Sequence, residues 1–435
     1  MALKNLATAA QVQSILKTNS ILVEVDGSIR RITLDKLIDS INAGDEELLR
    51  SVAWGVPIKQ ASQTSSAWGR IGNLDMWALF KSQCGRYLVK NNGHAAKLSV
   101  SNSNIYADGT ALDETIGHVM VHFPKLYYRV VEDAVTGTPT LWMSLIPIGG
   151  HFIPEANIGA YKGSMSGSAL TSRSGVKPAG SKTISAFWAA AQVNGAQWGL
   201  IDYKHKQLMM MLLLSEYGNP NAQAVLGQGV TGTNNSSDYS TPLNWNLGAT
   251  KSLGDACGKI DFTWENSGGT TVAGANHVSL FGIEDPYALQ WEFTQGIYCG
   301  DSGNDGQDGS EVFLYEGNRM PSASELASHP DGDYRQLTRL TSNGYVRNET
   351  VGEFFDLVPS LHGGGGTEYW GDYHYANATG QVVFWGGPAY LGAYCGLACA
   401  FSNLAWSRSD ASIGSRLAYY GELTVMSGAQ LVAEV

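Results

Sequence analysis

The side chains best suited to chemistry are concentrated between Phe384 and Gly421, where large groups of unrelated kinds stand close together. They include aromatic, aliphatic, basic and acidic side chains: Tyr390, Leu391, Tyr394, Phe401, Leu404, Trp406, Arg408 and Asp410. Tyr and Trp offer large amphipathic contact area at low entropic cost, which recognition surfaces favour. The mixture therefore indicates binding to a partner more than it indicates a single reaction.

Small and large residues alternate between positions 402 and 412. The even positions are mostly large and chemically mixed, and the odd positions are small throughout. Because successive side chains of an extended chain point to opposite faces, we expect a strand with one closely packed face and one varied, displayed face. The alternative is an irregular strand with one buried and one wet face, in which Leu404 and Trp406 belong to the core.

Other residues that could carry a reaction or hold a metal are arranged less favourably. Cys395 and Cys399 are four residues apart, and no Lys, Arg or His stands beside them to stabilise a thiolate. The acidic loop Asp301–Gly309 resembles a calcium loop, but Gly303 and Val312 stand where carboxylate ligands belong, so a solvated loop is favoured. We predict no catalytic residue, no metal and no cofactor.

An aromatic-rich segment follows a run of four glycines at residues 363–366. The run lacks the Lys-Ser/Thr ending of a phosphate-binding loop. We expect a flexible hinge beside a surface loop that flanks the varied stretch and presents four aromatic side chains: Tyr369, Trp370, Tyr373 and Tyr375.

Composition narrows the class of protein. The chain has 435 residues, 15% of them charged, and its 52 Gly and 13 Pro indicate a loop-rich globular protein. The net charge of −11 disfavours nucleic acid or an anionic membrane as the partner. The first 20 residues have no apolar core of signal-peptide type, and the longest apolar run, residues 208–214, is far too short for a membrane span. We expect synthesis in a host cytoplasm without a signal peptide, and no membrane insertion.

The chain divides into three regions by composition. Residues 1–55 have ordinary charge density, a hairpin signal at Asp26–Gly27 and two short amphipathic helical patterns after Leu34; we expect an attachment or oligomerisation segment, or else a simple capping element. Residues 56–110 are expected to form a small β-rich connecting region. Residues 111–435 are expected to form one large α+β unit, with two helices near 181–196 and 203–217 on a strand- and loop-rich body.

A set of sequence blocks in this large region resembles the C-type lectin fold in its formylglycine-generating-enzyme-like branch. The blocks occur in the family's order: NIGAYKGS (157–164), SRSGVKP (172–178), WGLIDYKHKQLMMMLLLSEYGNPNAQ (198–223), FGIEDPYALQWEF (281–293), FWGG (384–387) and IGSRLAYYG (413–421). The resemblance covers about residues 115–425. It is greatest to phage and prophage tail proteins whose C-termini are diversified by retroelements.

The resemblance implies a function for the varied stretch. In diversified members, rewritten positions lie between a fixed Gly-Gly and a fixed Ile-Gly-x-Arg-Leu, here Gly386–Gly387 and Ile413–Leu417. The implied receptor-contacting residues are Pro388, Ala389, Tyr390, Leu391, Tyr394, Phe401, Leu404, Trp406, Arg408, Asp410 and Ser412. Trp406 departs from the pattern, because an Asn codon cannot become a Trp codon by changes at adenines alone.

Three functions compete at this point. The first is a non-enzymatic phage or prophage tail-fibre tip that binds a bacterial cell-surface protein or glycan, as a homotrimer held to other virion tail proteins through its N-terminus. The second is a glycan-degrading tailspike enzyme, which needs a carboxylate pair in a cleft. The third is an oxidase of the formylglycine-generating type, which needs a reactive cysteine pair five residues apart; Leu391 stands at the first of those places. We expect the first.

Overall fold

The computed structural model describes residues 19–25, 28–59, 68–133, 135, 137–232, 245–265, 271–272, 275–300, 311–317, 334–337, 343–376 and 382–434. These residues form a mixed α+β structure. Its α-helices are α1 (Leu34–Asn42), α2 (Glu46–Val52), α3 (Leu74–Gln83), α4 (Ile184–Gln192), α5 (Tyr203–Tyr217), α6 (Ala222–Leu226) and α7 (Gly428–Ala433). Short 3-10 turns occur at Glu114–Ile116, Lys251–Leu253 and Gly392–Tyr394.

The strands are short and numerous. In chain order they are β1 (Ser20–Val25), β2 (Ser28–Thr33), β3 (Trp54–Pro57), β4 (Ile71–Gly72), β5 (Gly85–Val89), β6 (His94–Ser99), β7 (Asn102–Tyr106), β8 (His118–Phe123), β9 (Leu126–Glu132), β10 (Pro139–Ser144), β11 (His151–Ile153), β12 (Ala156–Gly159), β13 (Ser164–Ser166), β14 (Ala169–Thr171), β15 (Trp198–Leu200), β16 (Gly258–Asp261), β17 (Trp264–Glu265), β18 (Thr271–Val272), β19 (Asn276–Leu280), β20 (Ile283–Glu284), β21 (Trp291–Gly300), β22 (Glu311–Tyr315), β23 (Tyr334–Leu337), β24 (Gly344–Thr350), β25 (Val358–His362), β26 (Tyr373–Ala376), β27 (Val382–Gly386), β28 (Gly396–Leu404), β29 (Ile413–Gly414), β30 (Leu417–Tyr419) and β31 (Thr424–Met426).

The N-terminal region is a hairpin followed by two helices. Strands β1 and β2 pair antiparallel from Ser20↔Thr33 to Val25↔Ser28, and the turn expected at Asp26–Gly27 lies outside the described residues. Helix α1 begins where the Thr33 side chain accepts a hydrogen bond from the backbone N–H of Lys36. It buries Leu34, Leu37 and Ile41, as the apolar spacing predicts.

Three large sheets contain most of the remaining strands, and β13-β14, β16-β19-β20 and β17-β18 form smaller sheets. A five-stranded sheet has the order β11-β9-β10-β3-β4, and an eight-stranded sheet has the order β15-β30-β12-β8-β5-β6-β31 with β7 paired to β6. Both sheets combine strands from before and after residue 110, because β3 pairs with β10 and β5 pairs with β8. The sheets thus cross the expected boundaries near residues 55 and 110, and the division into three regions stays a prediction about folding units.

Helix α5 is buried along most of its length. Asp202 caps its N-terminus in a reciprocal pair with His205, and Gly218 ends it in the left-handed conformation at φ 56°. Every side chain from Leu208 to Leu214 is buried, each contributing about 1.5–3 kcal/mol relative to an exposed position. Within the described residues, no helix is long and apolar enough to cross a membrane.

The expectation of only two helices in the large region is incomplete. Helices α4 and α5 lie within the two predicted segments, but α6 and α7 occur there as well. Both additional helices are short, and each begins at a side-chain cap, Asn221 for α6 and Ser427 for α7. Segments of five or six residues are too short to show a helical apolar period, so sequence patterns do not reveal them.

The third large sheet holds the varied stretch. Its order is β23-β22-β21-β27-β28-β26-β24-β25, and β29 adds to β21 in parallel. Strand β28 lies at the centre, antiparallel to β27 and parallel to β26. The C-terminal half of the varied stretch leaves β28 at Leu404 and returns to the sheet at β29.

Candidate functional site

Four strands bring distant aromatic side chains to one end of the third sheet. Phe384 of β27 pairs with Phe401 of β28, and Tyr375 of β26 pairs with the same Phe401 from the other side. Trp291, at the start of β21, pairs with Ile413 of β29. The rings are in contact, with centroids 5.4 Å apart for Trp291–Phe401 and 5.9 Å apart for Phe384–Phe401.

These side chains form the floor of a cavity of about 200 Å³. Its lining is Trp291, Tyr375, Phe384, Tyr390, Leu391, Phe401, Leu404, Arg408, Asp410, Ser412 and Ile413. Seven of the residues predicted to contact a receptor are in this lining, together with one predicted flanking aromatic residue, Tyr375. The varied stretch therefore surrounds a concave, mainly aromatic and aliphatic site rather than a flat face.

An ion pair lies at the rim of this cavity, which is otherwise largely apolar. Arg408 donates from Nε to Oδ2 of Asp410 at 2.6 Å, and the Arg408 side chain is 42% exposed. A turn positions the pair, because the backbone N–H of Arg408 donates to the carbonyl of Ala405 at 3.0 Å. The rim can thus offer either charge to a ligand without burying an unpaired ion.

The expected period-two strand from 402 to 412 is wrong. Strand β28 ends at Leu404, and the turn at 405–408 breaks the alternation. The small side chains of Ala405, Ser407 and Ser409 are exposed, whereas the large even-numbered ones are half-buried. The physical reason is that large groups gain more than small ones by covering the aromatic floor.

The predicted receptor-contacting residues outside the cavity lining differ in how far they are buried. Pro388 and Ala389 are buried, so in this conformation they support the site rather than face a partner. The carbonyl of Pro388 accepts hydrogen bonds from Thr231 Oγ1 and Cys395 Sγ. Trp406 is half-buried and packs against the same apolar cluster as the cavity floor.

Two of the four predicted flanking aromatic residues lie beside the varied stretch, on a strand rather than in the expected loop. Tyr373 and Tyr375 are half-buried on β26, and Tyr373 contacts Tyr394 with ring centroids 4.5 Å apart. These contacts continue the aromatic surface beyond the cavity. Tyr369 and Trp370, by contrast, are buried; Trp370 meets the ring of Trp68 at 5.5 Å. They belong to the core, because their neighbours close over both rings.

A buried arginine fixes the end of the varied stretch. Arg416 has no exposed surface, and its guanidinium donates to the carbonyls of Gly159, Ala160, Glu284 and Asp285 at 2.8–3.2 Å. Its Nε also donates to Oε1 of Glu292 at 2.8 Å. Such planar, multiple donation is the geometry that Arg supplies and Lys does not. Arg416, which directly precedes β30, therefore ties the end of the varied stretch to β12, β20 and β21. We call these buried partners and Arg416 the frame.

Glu292 is shared by three buried cations. Besides Arg416, Lys162 and Lys206 approach its carboxylate at 2.9 and 2.6 Å. Burial alone would raise the pKa of Glu292, but the three cations hold it well below its usual range. Burial lowers the pKa of Lys162 to about 8, and the carboxylate of Glu292 limits that shift. All four groups serve to fix the frame, since none of them reaches the cavity lining.

Glycine is required for steric reasons at two anchor positions, one at each end of the varied stretch. Gly387 adopts φ +83°, and a Cβ there would lie 2.5 Å from Sγ of Cys395. Gly414 has a similar restriction, because its Cβ would lie 2.5 Å from Oε1 of Gln290. The fixed ends of the varied stretch are therefore closely packed, unlike its middle.

The two cysteines near the site are buried in surroundings that disfavour a thiolate. Burial raises the pKa of Cys395 to about 12 and that of Cys399 well above its ordinary value. The thiolate is the nucleophilic form, so this environment does not activate either sulfur. The oxidase alternative therefore has no chemical support at these positions.

One further group of titratable residues was missed from the sequence. His277 Nδ1 lies 2.7 Å from Oδ2 of Asp285, and Glu284 is buried beside them, with all three candidate ligand atoms within 4.8 Å. Both Glu284 oxygens accept hydrogen bonds from residues 248 and 250. Burial opposes protonation of His277, but Asp285 raises its pKa to about 9, which favours an ion pair between the two side chains. We interpret the group as an internal ion pair.

Comparison with known proteins adds a distant structural similarity. No family model and no curated protein matches the chain. Among solved structures the chain is similar to one titled Major Tropism Determinant P3c Variant, with 12% identity and a TM-score of 0.25 over 77% of this chain and 71% of that chain. At that TM-score the likeness carries no functional weight.

Proposed function

We propose that this protein is a receptor-binding protein at the tip of a phage or prophage tail fibre, and that its ligand binds at the cavity between β26, β27 and β28. The observation that carries the proposal is the convergence of seven varied side chains on one cavity. They come from the segment before β28, from β28 itself and from the segment after it, so the fold brings them together. The sequence resemblance to diversified phage tail proteins supports the same function.

The lining defines what the cavity accepts. Trp291, Phe384 and Phe401 offer an apolar floor, which favours a large apolar group of the partner. Arg408 and Asp410 at the rim provide a charge of each sign for polar groups around that anchor. A bacterial cell-surface protein or glycan that presents an apolar group could bind in this way, and no bond need be made or broken.

The side chains proposed to bind the ligand are different from those that stabilise the fold. Trp291 and Phe384 of the floor are buried, and so are Arg416 and Glu292, which hold the end of the varied stretch in place. The rim residues Tyr390 and Arg408 are half-buried and lie on turns. A retroelement could therefore rewrite the rim without unfolding the protein, which is the property that diversification requires.

Assembly completes the proposal. Residues 1–55 would attach the protein to other virion tail proteins, and the protein would act as a homotrimer. Binding by three copies gives avidity that exceeds the affinity of one cavity by orders of magnitude. The protein would thus be located in the virion and would function without a cofactor.

Binding to bacterial cells tests the proposal. The labelled full chain is incubated with a panel of bacterial strains, and bound fluorescence is measured by flow cytometry. We expect at least one strain to bind, and Arg408→Ala/Asp410→Ala to weaken that binding at least tenfold.

The matched control is Lys259→Ala/Asp261→Ala. These two residues form another surface ion pair whose members are also two positions apart in the sequence. Lys259 Nζ lies 3.3 Å from Asp261 Oδ1, the side chains are 50% and 71% exposed, and the pair lies on a different sheet. We expect no change in binding. Equal losses in both double variants, or no bound strain in the panel, would contradict the proposal.

A further inference from the structure

Three consecutive backbone carbonyls near the end of the varied stretch accept hydrogen bonds from other parts of the chain. The carbonyl of Asp410 accepts from the backbone N–H of Ser181 at 2.7 Å. That of Ser412 accepts from the backbone N–H of Trp291 at 3.0 Å. The carbonyl between them accepts from the side chain of Gln290, whose Nε2 lies 2.9 Å away. Because every residue has a carbonyl, these contacts can hold the segment whatever side chains stand at positions 410 and 412.

Gln290 supplies the one donor of these three that is a side chain. It lies just before β21 and is 1% exposed. Its Nε2 also donates to the carbonyl of Ala179 at 3.2 Å, so one amide group holds two chain segments together. A Cβ at Gly414 would lie 2.5 Å from Oε1 of Gln290 and 3.0 Å from the carbonyl oxygen of Ala179. The glycine at this anchor therefore leaves room for the amide group.

The backbone of Gln290 is connected to the frame. Its carbonyl accepts a hydrogen bond from Nζ of Lys162 at 3.1 Å. The same ammonium group lies 2.9 Å from the carboxylate of Glu292, which belongs to the frame. Gln290 thus links the buried frame to the part of the varied stretch that carries Asp410 and Ser412.

The position of Asp410 decides where the charges of the rim lie. Its carboxylate accepts from Nε of Arg408 at 2.6 Å, and both side chains line the cavity. A shift of the backbone at 410–412 would therefore move the acceptor away from the Arg408 guanidinium. Two charged groups at a rim help a ligand to bind only where their places match its own polar groups.

We propose that Gln290 is a positioning residue for the ligand site, an inference that rests on the proposed receptor-binding function. Gln290 is absent from the cavity lining and acts through the backbone carbonyl of Ala411. Its amide group fixes residues 410–412 and thereby holds the Arg408–Asp410 pair at the rim. Since the contact is made to a carbonyl, rim side chains can change while the direction in which they point is kept.

Hydrogen–deuterium exchange on the full chain tests the positioning role without a receptor. Gln290→Met removes both amide donors, and the matched control is Gln295→Met. Gln295 is also fully buried, lies in β21, and donates from Nε2 to Oη of Tyr420 at 3.0 Å, outside the cavity lining. In both glutamines Oε1 accepts no hydrogen bond from the described residues, so each substitution removes donors alone. We expect exchange in residues 405–413 to be about threefold faster in Gln290→Met and unchanged in Gln295→Met.

Binding to a bacterial strain that the parent chain recognises provides the second measurement. Gln290→Met should weaken binding about fivefold, and Gln295→Met should leave it unchanged. Adding Arg408→Ala/Asp410→Ala should cost less than about threefold in the Gln290→Met background, against at least about tenfold in the parent. This coupling is expected only if Gln290 acts by placing the rim pair, because a general loss of stability would leave the two effects additive.

Three results would overturn the proposal. They are exchange in residues 405–413 that Gln290→Met leaves unchanged, additive losses of binding in the combined variant, and global unfolding of Gln290→Met, as measured by circular dichroism, while Gln295→Met stays folded. The exchange measurement decides the positioning role by itself. The absence of any bound strain would contradict the proposed function and not the role of Gln290 in fixing the rim.

Discussion

Replacing Arg416 by Met should cost far more stability than the same replacement at Arg408, eight residues earlier. Arg416 is fully buried, and its loss leaves Glu292 without one of its cations and removes one hydrogen-bond donor from each of four carbonyl groups. Removing one partner of a buried ion pair typically costs about 3–5 kcal/mol. That is a large share of the roughly 5–15 kcal/mol that holds a domain together.

The Arg408→Met control removes a rim charge instead. The Arg408 side chain is 42% exposed and has a single ion-pair partner, Asp410, so we expect a change within about 1 kcal/mol. Urea unfolding followed by tryptophan fluorescence measures both variants. Arg416→Lys should fall between them, because it keeps the charge but loses the planar set of donors. Equal free energies of unfolding for Arg416→Met and Arg408→Met would refute the distinction between frame and rim.

Three further outcomes follow from the structure. Gly387→Ala should destabilise the fold by about 2 kcal/mol or more, because the new Cβ would lie 2.5 Å from Cys395 Sγ. The control Gly392→Ala, at φ +61° with no atom within 4 Å, should cost only about 1–2 kcal/mol, and urea unfolding midpoints compare the two variants. The pKa of His277 is raised to about 9 in the folded state, so its contribution to the free energy of unfolding is complete below pH 6.5 and is lost as pH rises through 9. His277→Gln should therefore flatten the fall in the free energy of unfolding between pH 6.5 and 9, and an unchanged pH profile would contradict the ion pair with Asp285. Sedimentation should show a trimer at micromolar concentration for the full chain and a smaller species after deletion of residues 1–55; a monomer in both cases would count against the proposed assembly.

The buried helix α5 could be predicted from sequence because its signals are local. An apolar run on every face, a capping Asp202 and a terminal Gly218 lie within one segment. The short helices and the pairing of β3 with β10 could not be predicted, because long-range pairing leaves no local pattern.

Seven of the residues singled out in the sequence line the cavity, but the sequence did not predict the shape of that cavity. The mixed chemistry around Arg408 marks the varied stretch, yet its cavity floor includes Trp291, which lies more than 90 residues earlier and is brought in by pairing with Ile413. The alternation in residues 402–412 failed as a guide because the turn after Leu404 changes which side chains face the sheet. Glu292, the buried partner of Arg416, lies 124 residues away, and no sequence motif around it indicates that it pairs with this arginine.

The central claim is that a bacterial surface molecule contacts the rim of the cavity, and photo-crosslinking measures that contact directly. p-Benzoylphenylalanine is placed at Tyr390 in one full-length chain and at Val100, which is 61% exposed on the turn between β6 and β7, in another. Both proteins are irradiated on a strain that binds the unmodified chain. The account predicts a covalent adduct with a cell-surface molecule from position 390 and none from position 100. Adducts of equal yield from both positions, or cell binding with no adduct from position 390, would contradict it.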